Sequence, residues 1–227
     1  NKRYSLLDQK PLFNIYRPYD IPDLFSYLEG LREYIYKEMS TDIHINSMIQ
    51  YPPKNNDFLK TIDSISLFQP GTSMFNSDEL SNSKNNLKNV SILLKTFLIN
   101  SSEPIRNFLN KMKPKGIKRY DYDEVWEIIL KQSKEDYYLD KPVLRGSFTD
   151  WDNTARYGEE ATVFLGADPN KFGKYMELLK EIILASESSK NIMFINAWNE
   201  WGESAYLEPD EIYGFGFLDQ VKKINNR

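Results

Sequence analysis

The 227-residue sequence contains no cysteine and a single histidine, His44. The lack of cysteine excludes disulfides, thiol catalysis and cysteine-bound zinc. A histidine-based triad or a multi-histidine metal site would need residues from outside this chain, and we expect a structural role for His44. We therefore predict no metal and no cofactor. Any chemistry has to use carboxylates, tyrosine, lysine, arginine or backbone groups.

Long apolar runs and concentrated positive charge are also lacking. No stretch reaches the roughly 18 consecutive apolar residues that a membrane span requires. The net charge is −4 and the basic residues are scattered, so we expect no nucleic-acid groove. The sequence begins at Asn1 without a recognisable signal peptide and fixes no compartment. A biosynthetic role would favour the cytoplasm.

Aromatic residues, in contrast, are abundant, at 14% of the chain. They suit a core or a sugar-stacking cleft, and the core is the commoner use. Five short apolar runs have the length and composition of buried strands: Pro11–Tyr16, Ile43–Ile49, Ile62–Phe68, Pro142–Phe148 and Asn191–Trp198. Helical patterns separate them, at Ile21–Met39, Tyr122–Gln132, Asn170–Ser186 and Phe217–Ile224.

Strands that alternate with helices predict an α/β fold with parallel strands, either an open layer or a barrel. Five such units do not close a (β/α)8 barrel, so the sheet is either a smaller open one or lacks strands upstream. We predict one domain over residues 1–227. The Asn- and Ser-rich segment Gly71–Lys118 breaks the rhythm and is interpreted as a loop insertion.

The densest chemical signal lies where the last predicted strand ends. Glu200 and Glu203 stand three residues apart there, among Trp198, Asn199 and Trp201. Catalytic groups of βα-barrels project from the C-terminal ends of strands, and glycoside cleavage requires two carboxyl groups. Exposed tryptophan faces can stack on sugar rings. From these residues alone, a catalytic pair and two ordinary solvated acids remain equally open.

A second signal, TDWDNTAR, follows the fourth predicted strand and contains Trp151, Asp152, Asn153 and Arg156. These side chains could hold sugar hydroxyls or orient a glutamate. Asp and Asn also favour turns and helix caps, so both interpretations stay open. Arg17 closes the first strand. An arginine at a strand end can contact an anionic ligand or neutralise a neighbouring glutamate, but an ion pair that only stabilises the fold is the simpler role.

In this order, KPLFNIYRP, TDWDNTAR and INAWNEWGESAYLEPD closely resemble the glycoside hydrolase family 99-like domain of WbsX-type proteins. Such proteins are commonly encoded among bacterial polysaccharide and lipopolysaccharide biosynthesis genes. The resemblance implies a (β/α)8 TIM barrel of which this chain carries about the fourth to eighth βα units. The missing N-terminal strands, or a second copy of the chain, would then be needed to complete it.

The true family 99 enzymes that this domain resembles are retaining endo-acting α-mannosidases or α-mannanases with a motif of the form NEWxEG. The resemblance implies that Glu200 acts on the substrate 2-hydroxyl through a 1,2-anhydro sugar, and that Glu203 is the acid/base. Glu203 should then have a raised pKa. Ser204 departs from the family's usual glycine. We predict that the substrate-binding residues are Trp151, Asp152, Asn153, Arg156, Asn199, Trp201, Arg17 and Tyr206.

The leading hypothesis is therefore retaining glycoside hydrolase-type chemistry on an α-linked oligo- or polysaccharide. A glycosyltransferase or accessory role in lipopolysaccharide or O-antigen biosynthesis is the second, and a non-catalytic sugar-binding remnant the third. Asp121-Tyr122-Asp123 has the DxD form found in transferase metal sites, but it precedes a helix. We interpret it as a helix start.

Overall fold

The computed structural model describes residues 4–50, 57–76, 116–138, 140–186 and 190–226. It contains a mixed α/β fold in which the five predicted strands form to within two residues at each end. The described strands and helices are β1 (Leu6–Leu7), β2 (Lys10–Tyr16), α1 (Leu24–Met39), β3 (His44–Ile49), β4 (Ser64–Leu67), α2 (Gly71–Asn76), β5 (Lys118–Asp121), α3 (Tyr122–Gln132), β6 (Tyr137–Tyr138), β7 (Lys141–Phe148), α4 (Thr154–Tyr157), β8 (Thr162–Leu165), α5 (Pro169–Ala185), β9 (Met193–Asn196), β10 (Asn199–Glu200), β11 (Ala205–Tyr206) and α6 (Gly216–Asn225).

The chain divides into two compact units. The first comprises Asn1–Thr72, Ile129–Ser147 and Lys174–Asn196, and the second comprises Ser73–Ile128, Phe148–Gly173 and Ala197–Arg227. Most of the predicted insertion, residues 77–115, lies outside the described part of the chain.

The first unit holds the main sheet, with the order β1-β2-β3-β4-β7-β6 and with β9 also paired to β7. The pairs β2/β3, β3/β4 and β4/β7 are parallel, as the alternation of strands and helices predicts. The strands β2, β3, β4, β7 and β9 therefore follow one another across the sheet in chain order. Short antiparallel partners, β1 and β6, flank β2 and β7.

The two faces of this sheet differ in chemistry because side chains alternate along each strand. One face contributes Ile45, Ile49 and Ile65 to a buried cluster that includes Leu24 and Leu28 of α1. The helix starts at Leu24, three residues later than predicted, since Asp23 has a left-handed backbone with φ 46° and precedes the first turn.

The opposite face carries a hydrogen-bonded polar network. Asn46 Nδ2 donates to Asn14 Oδ1 over 2.8 Å and to Ser66 Oγ over 2.7 Å. Ser64 Oγ donates to Asn46 Oδ1 over 3.0 Å. Asn46, Ser64 and Ser66 are completely buried, so these bonds satisfy groups that would otherwise be costly to enclose.

The second unit is organised around aromatic side chains. Trp126 of α3 stacks on Phe148 with ring centroids 5.5 Å apart, and Phe148 meets Phe164 of β8 edge-on at 5.4 Å. Tyr122 hydroxyl donates to Thr149 O over 2.8 Å. Strands β5 and β8 form a parallel pair that the sequence did not predict. Many aromatic residues therefore belong to the core.

Candidate functional site

A short hairpin in the second unit carries both predicted catalytic glutamates. Its strands β10 and β11 are antiparallel, with Asn199 opposite Tyr206 and Glu200 opposite Ala205. A 3₁₀ turn, Trp201–Glu203, joins them. Glu200 therefore ends the first strand and Glu203 ends the turn, so both carboxylates belong to the same tight loop.

The guanidinium of Arg156 binds both carboxylates. Its Nη2 donates to Glu200 Oε1 over 2.6 Å, and its Nη1 donates to Glu203 Oε1 over 3.2 Å. The side chains of Arg156 and Glu200 are 47% and 36% exposed, whereas that of Glu203 is only 15% exposed. The structure therefore brings together three predicted site residues that are 44 and 47 positions apart in the sequence.

The two carboxyl groups have different electrostatic environments. Burial raises the pKa of Glu203, and the negative charge of Glu200 raises it further, while the Arg156 cation acts in the opposite direction. Glu200 is more exposed and has the shorter contact with the cation. Burial therefore favours the protonated form at Glu203, while Glu200 is the carboxylate more closely paired with the Arg156 cation.

The TDWDNTAR segment fixes Arg156 in this position through its backbone and turn contacts. Asp152 N donates to Glu203 O over 2.9 Å, which ties the segment to the glutamate turn. Asp152 Oδ1 accepts from Thr154 N over 2.9 Å, and Asn153 Oδ1 accepts from Thr162 N over 2.7 Å. Asp152 and Asn153 thus make turn contacts, which is the second of the two interpretations given for them in the sequence.

The remaining predicted residues divide between the two units. Trp151 is partly buried, and its carbonyl accepts from Phe164 N over 2.8 Å. Asn199 is exposed on β10. Arg17 belongs to the first unit, where it ends β2 and pairs with Asp20 over 2.8 Å. Arg17 therefore makes an ion pair of the stabilising kind, which is the simpler role for an arginine at a strand end.

Trp201 and Tyr206 form a rigid aromatic pair on the hairpin. Their ring centroids are 3.8 Å apart and their planes differ by 15°. Trp201 Nε1 donates to Glu208 Oε2 over 2.6 Å. Burial and the nearby Asp210 raise the pKa of Tyr206 to about 12, so its hydroxyl keeps its proton at neutral pH.

Three residues around the site were missed at the sequence level. Burial raises the pKa of Asp150 to about 6, and its Oδ1 accepts from Trp151 N over 2.6 Å. In the sequence, only its position directly before Trp151, shortly after β7, could have indicated that Asp150 belongs to the site. Glu208, in the LEPD block, orients Trp201, and Gly202 lies against Arg156.

The first unit brings together a serine, a histidine and an aspartate, which are the residue types of a nucleophilic triad. Their arrangement does not suit nucleophilic catalysis. His44 Nε2 is 2.8 Å from Ser64 Oγ, and His44 Nδ1 is 3.8 Å from Asp8 Oδ2. The Ser64 hydroxyl donates to Asn46 and has no exposed surface, so neither its proton nor its access suits a nucleophile. Burial also lowers the pKa of His44, which agrees with a structural role.

The described part of the chain lacks two kinds of feature. Within residues 4–50, 57–76, 116–138, 140–186 and 190–226, no three Asp, Glu or His side chains are grouped closely enough to hold a metal ion. In the same ranges, no helix combines the length and apolarity needed to cross a membrane.

The fold resembles that of a solved structure described as a glycoside hydrolase-like protein. The match has a TM-score of 0.54 and 13% sequence identity, and it covers 99% of this chain and 56% of that chain. At this identity, the similarity establishes the α/β fold alone.

The chain belongs to the family described as glycosyltransferase WbsX, whose model matches residues 1–221. The family expected from the motifs is thereby confirmed. Two curated relatives are both described as uncharacterized protein WxcX, from strains B100 and ATCC 33913 of Xanthomonas campestris pv. campestris. They are 32% and 30% identical over 109 and 103 residues, which is 48% and 45% of this chain. The matches span 15% of each relative's length.

Proposed function

We propose that this chain is part of a carbohydrate-active enzyme in which Glu200 and Glu203 perform retaining glycoside hydrolase chemistry on an α-linked polysaccharide. α-Mannose-containing glycans are the first substrates to test. One observation carries the proposal, namely the unequal sharing of the Arg156 guanidinium by the two carboxylates, at 2.6 Å and 3.2 Å. Membership of the WbsX family and the hydrolase-like fold support a carbohydrate substrate.

The unequal sharing supports a division of roles. A general acid must be protonated at rest, and Glu203 is the more buried carboxyl with the raised pKa. Its partner must stay ionised to act as a base, and Glu200 has the closer contact with Arg156. Pairs of carboxyl groups whose environments differ in this way are typical of acid and base assignments in glycosidases.

In the proposed reaction, Glu203 transfers its proton to the glycosidic oxygen as the bond from that oxygen to the anomeric carbon breaks. Glu200 removes the proton of the 2-hydroxyl, whose oxygen forms a new bond to the anomeric carbon and gives a 1,2-anhydro sugar. Water then attacks the anomeric carbon and gives a proton to Glu203. The bond between that carbon and the 2-oxygen breaks, and Glu200 returns its proton to the 2-oxygen. Two inversions leave the anomeric configuration retained.

We also propose that β2, β3, β4, β7 and β9 are the fourth to eighth strands of a (β/α)8 barrel, with residues 71–118 as a loop insertion in a single domain. Their chain-order arrangement in the sheet supports this assignment. Parallel barrels place catalytic residues after the C-terminal ends of their strands, and the hairpin with Glu200 follows β9 directly in sequence.

The test measures reducing-end release from α-mannans and bacterial polysaccharides by the complete protein that carries this chain. Glu203→Gln preserves shape but cannot protonate a leaving group, so we expect release to fall by at least about 100-fold. The matched control is Glu159→Gln, which changes an exposed glutamate of the same unit. Equal release by the parent and Glu203→Gln would remove Glu203 as the acid.

The family description, glycosyltransferase WbsX, favours a second candidate function in glycan transfer. The DxD sequence gives it little support, since Asp121 Oδ1 accepts from Asp123 N and Glu124 N at the start of α3. Asp123 Oδ2 pairs with Lys171 over 2.6 Å. Product formation that depends on an added sugar nucleotide would support transfer over hydrolysis. Binding without any turnover would support the sugar-binding remnant.

A further inference from the structure

The indole of Trp201 is covered on one face and open on the other. Tyr206 stacks on it at 3.8 Å between centroids with nearly parallel planes, so the second ring occupies one face. Trp201 is nevertheless 48% exposed. Because Tyr206 closes the stacked face, this exposure falls on the opposite face, the ring edges and the backbone. A large apolar surface is therefore presented to solvent within the glutamate turn.

This open face is held in a fixed orientation. Trp201 Nε1–H, the only hydrogen-bond donor of the indole, is bound by Glu208 Oε2 at 2.6 Å. Glu208 is itself located by its backbone, because its N–H donates to Trp198 O over 3.2 Å. The stack and the hydrogen bond restrict both the tilt and the rotation of the ring. A surface ordered before binding loses less conformational entropy when a ligand arrives.

We propose that the uncovered face of Trp201 is a pyranose-stacking subsite, with Tyr206 as its support and Glu208 as its positioning residue. This inference rests on the proposed function for its substrate class. The C–H groups on one face of a pyranose ring are apolar and slightly positive, and they match the negative face of an indole. Trp201 directly follows Glu200 and lies two residues before Glu203, so a stacked sugar belongs next to the bond that is cleaved.

The experiment is native affinity electrophoresis of the complete protein through gels that contain yeast α-mannan, dextran or a bacterial lipopolysaccharide-derived polysaccharide. Trp201→Ala should weaken retardation by about tenfold or more, as removal of a central tryptophan anchor does. Trp201→Phe should retain part of it. Near-ultraviolet circular dichroism establishes that each variant is folded.

Two substitutions at Glu208 separate positioning from a general structural effect. Glu208→Gln keeps an oxygen that can accept the indole N–H, so its retardation should stay within about threefold of the parent. Glu208→Ala frees the ring and should lose affinity by about three- to tenfold. Glu181→Ala, at an exposed position of α5, is the matched control and should leave retardation unchanged.

The outcomes distinguish this inference from the proposed reaction. If retardation depends on Trp201 and Glu208 but no reducing ends are released, the subsite is supported and the proposed hydrolase chemistry is overturned. Equal retardation of the parent, Trp201→Ala and Glu208→Ala overturns the subsite, and so does the absence of retardation in all three gels.

Discussion

Gly202 and the guanidinium of Arg156 lie in direct contact. A Cβ atom built on Gly202 would be 2.9 Å from Arg156 Nε and 3.2 Å from Nη2. Gly202 stands between Glu200 and Glu203 in the hairpin turn. The turn that carries the two carboxylates therefore also leaves the space for the cation that binds them, and a side chain at position 202 would displace that cation.

Gly202→Ala should disturb the site more than the fold. The added methyl group meets the far end of a flexible side chain, which can move away, so the free energy of unfolding should change by less than about 1 kcal/mol. The displaced guanidinium loses its geometry with Glu200 and Glu203, and activity should fall by about 10- to 100-fold. Urea unfolding and reducing-end release measure the two effects.

Gly30→Ala is the matched control for that variant. Its Cβ would meet nothing within 4 Å in the middle of α1, so the substitution should stabilise the protein by about 0.5–1 kcal/mol without changing activity. Full activity of Gly202→Ala would contradict the proposed importance of the Arg156 position.

Arg156→Gln should move the pH dependence of activity towards higher pH. The cation lowers the pKa of Glu203 against the effects of burial and Glu200, so its removal should raise that pKa further. Because a general acid works in its protonated form, the alkaline limb of the kcat/KM profile should shift upward. Arg119→Gln, which changes an exposed arginine of β5 outside the predicted site, is the control. A shift to lower pH would assign Glu203 a different role.

Asp150→Asn should stabilise the protein at neutral pH and have little effect in acid. The folded-state pKa of Asp150 is about 6, compared with an ordinary value of 3.8. Between these two pH values the Asp150 carboxyl is protonated in the folded state and ionised in the unfolded state. The contribution of Asp150 to the free energy of unfolding therefore falls as pH rises. Above pH 6 the difference of roughly two pKa units corresponds to about 3 kcal/mol.

Urea unfolding at pH 3.5 and pH 7 tests this expectation, with the exposed Asp219→Asn as control. Asparagine keeps an oxygen that can accept from Trp151 N, so the turn itself is preserved. The same gain in stability at both pH values would mean that ionisation of Asp150 is not its cause.

Ser204→Gly should increase stability. Ser204 has a left-handed backbone with φ 54°, and glycine adopts that conformation without a Cβ clash. Glycine also increases the conformational entropy of the unfolded chain, which offsets part of this effect. We therefore expect the free energy of unfolding to rise by about 0.5–1 kcal/mol. Ser204→Ala keeps the Cβ and should give no gain. Thermal unfolding compares the three proteins, and a destabilised Ser204→Gly would contradict the strain argument.

The five long strands of the main sheet and the residue types of the candidate site could be predicted from local sequence patterns. Strands such as β3 and β7 are apolar runs of ordinary length, and α3 has a strong helical period, so local pattern and tertiary packing agree. The β5 strand was missed because Lys118–Asp121 is largely polar and exposed, which removes the apolar signal of a strand. Its β8 partner is only four residues long.

The way in which the candidate site residues are combined depends on the tertiary structure. Arg156 is 44 residues from Glu200 in the sequence, and nothing in the local pattern states that one guanidinium binds both glutamates. The raised pKa of Asp150 and Glu203 has the same origin, because burial depends on which distant segments cover a carboxyl group. Sequence fixes which groups can ionise, while the folded surroundings fix the free energy of ionising them.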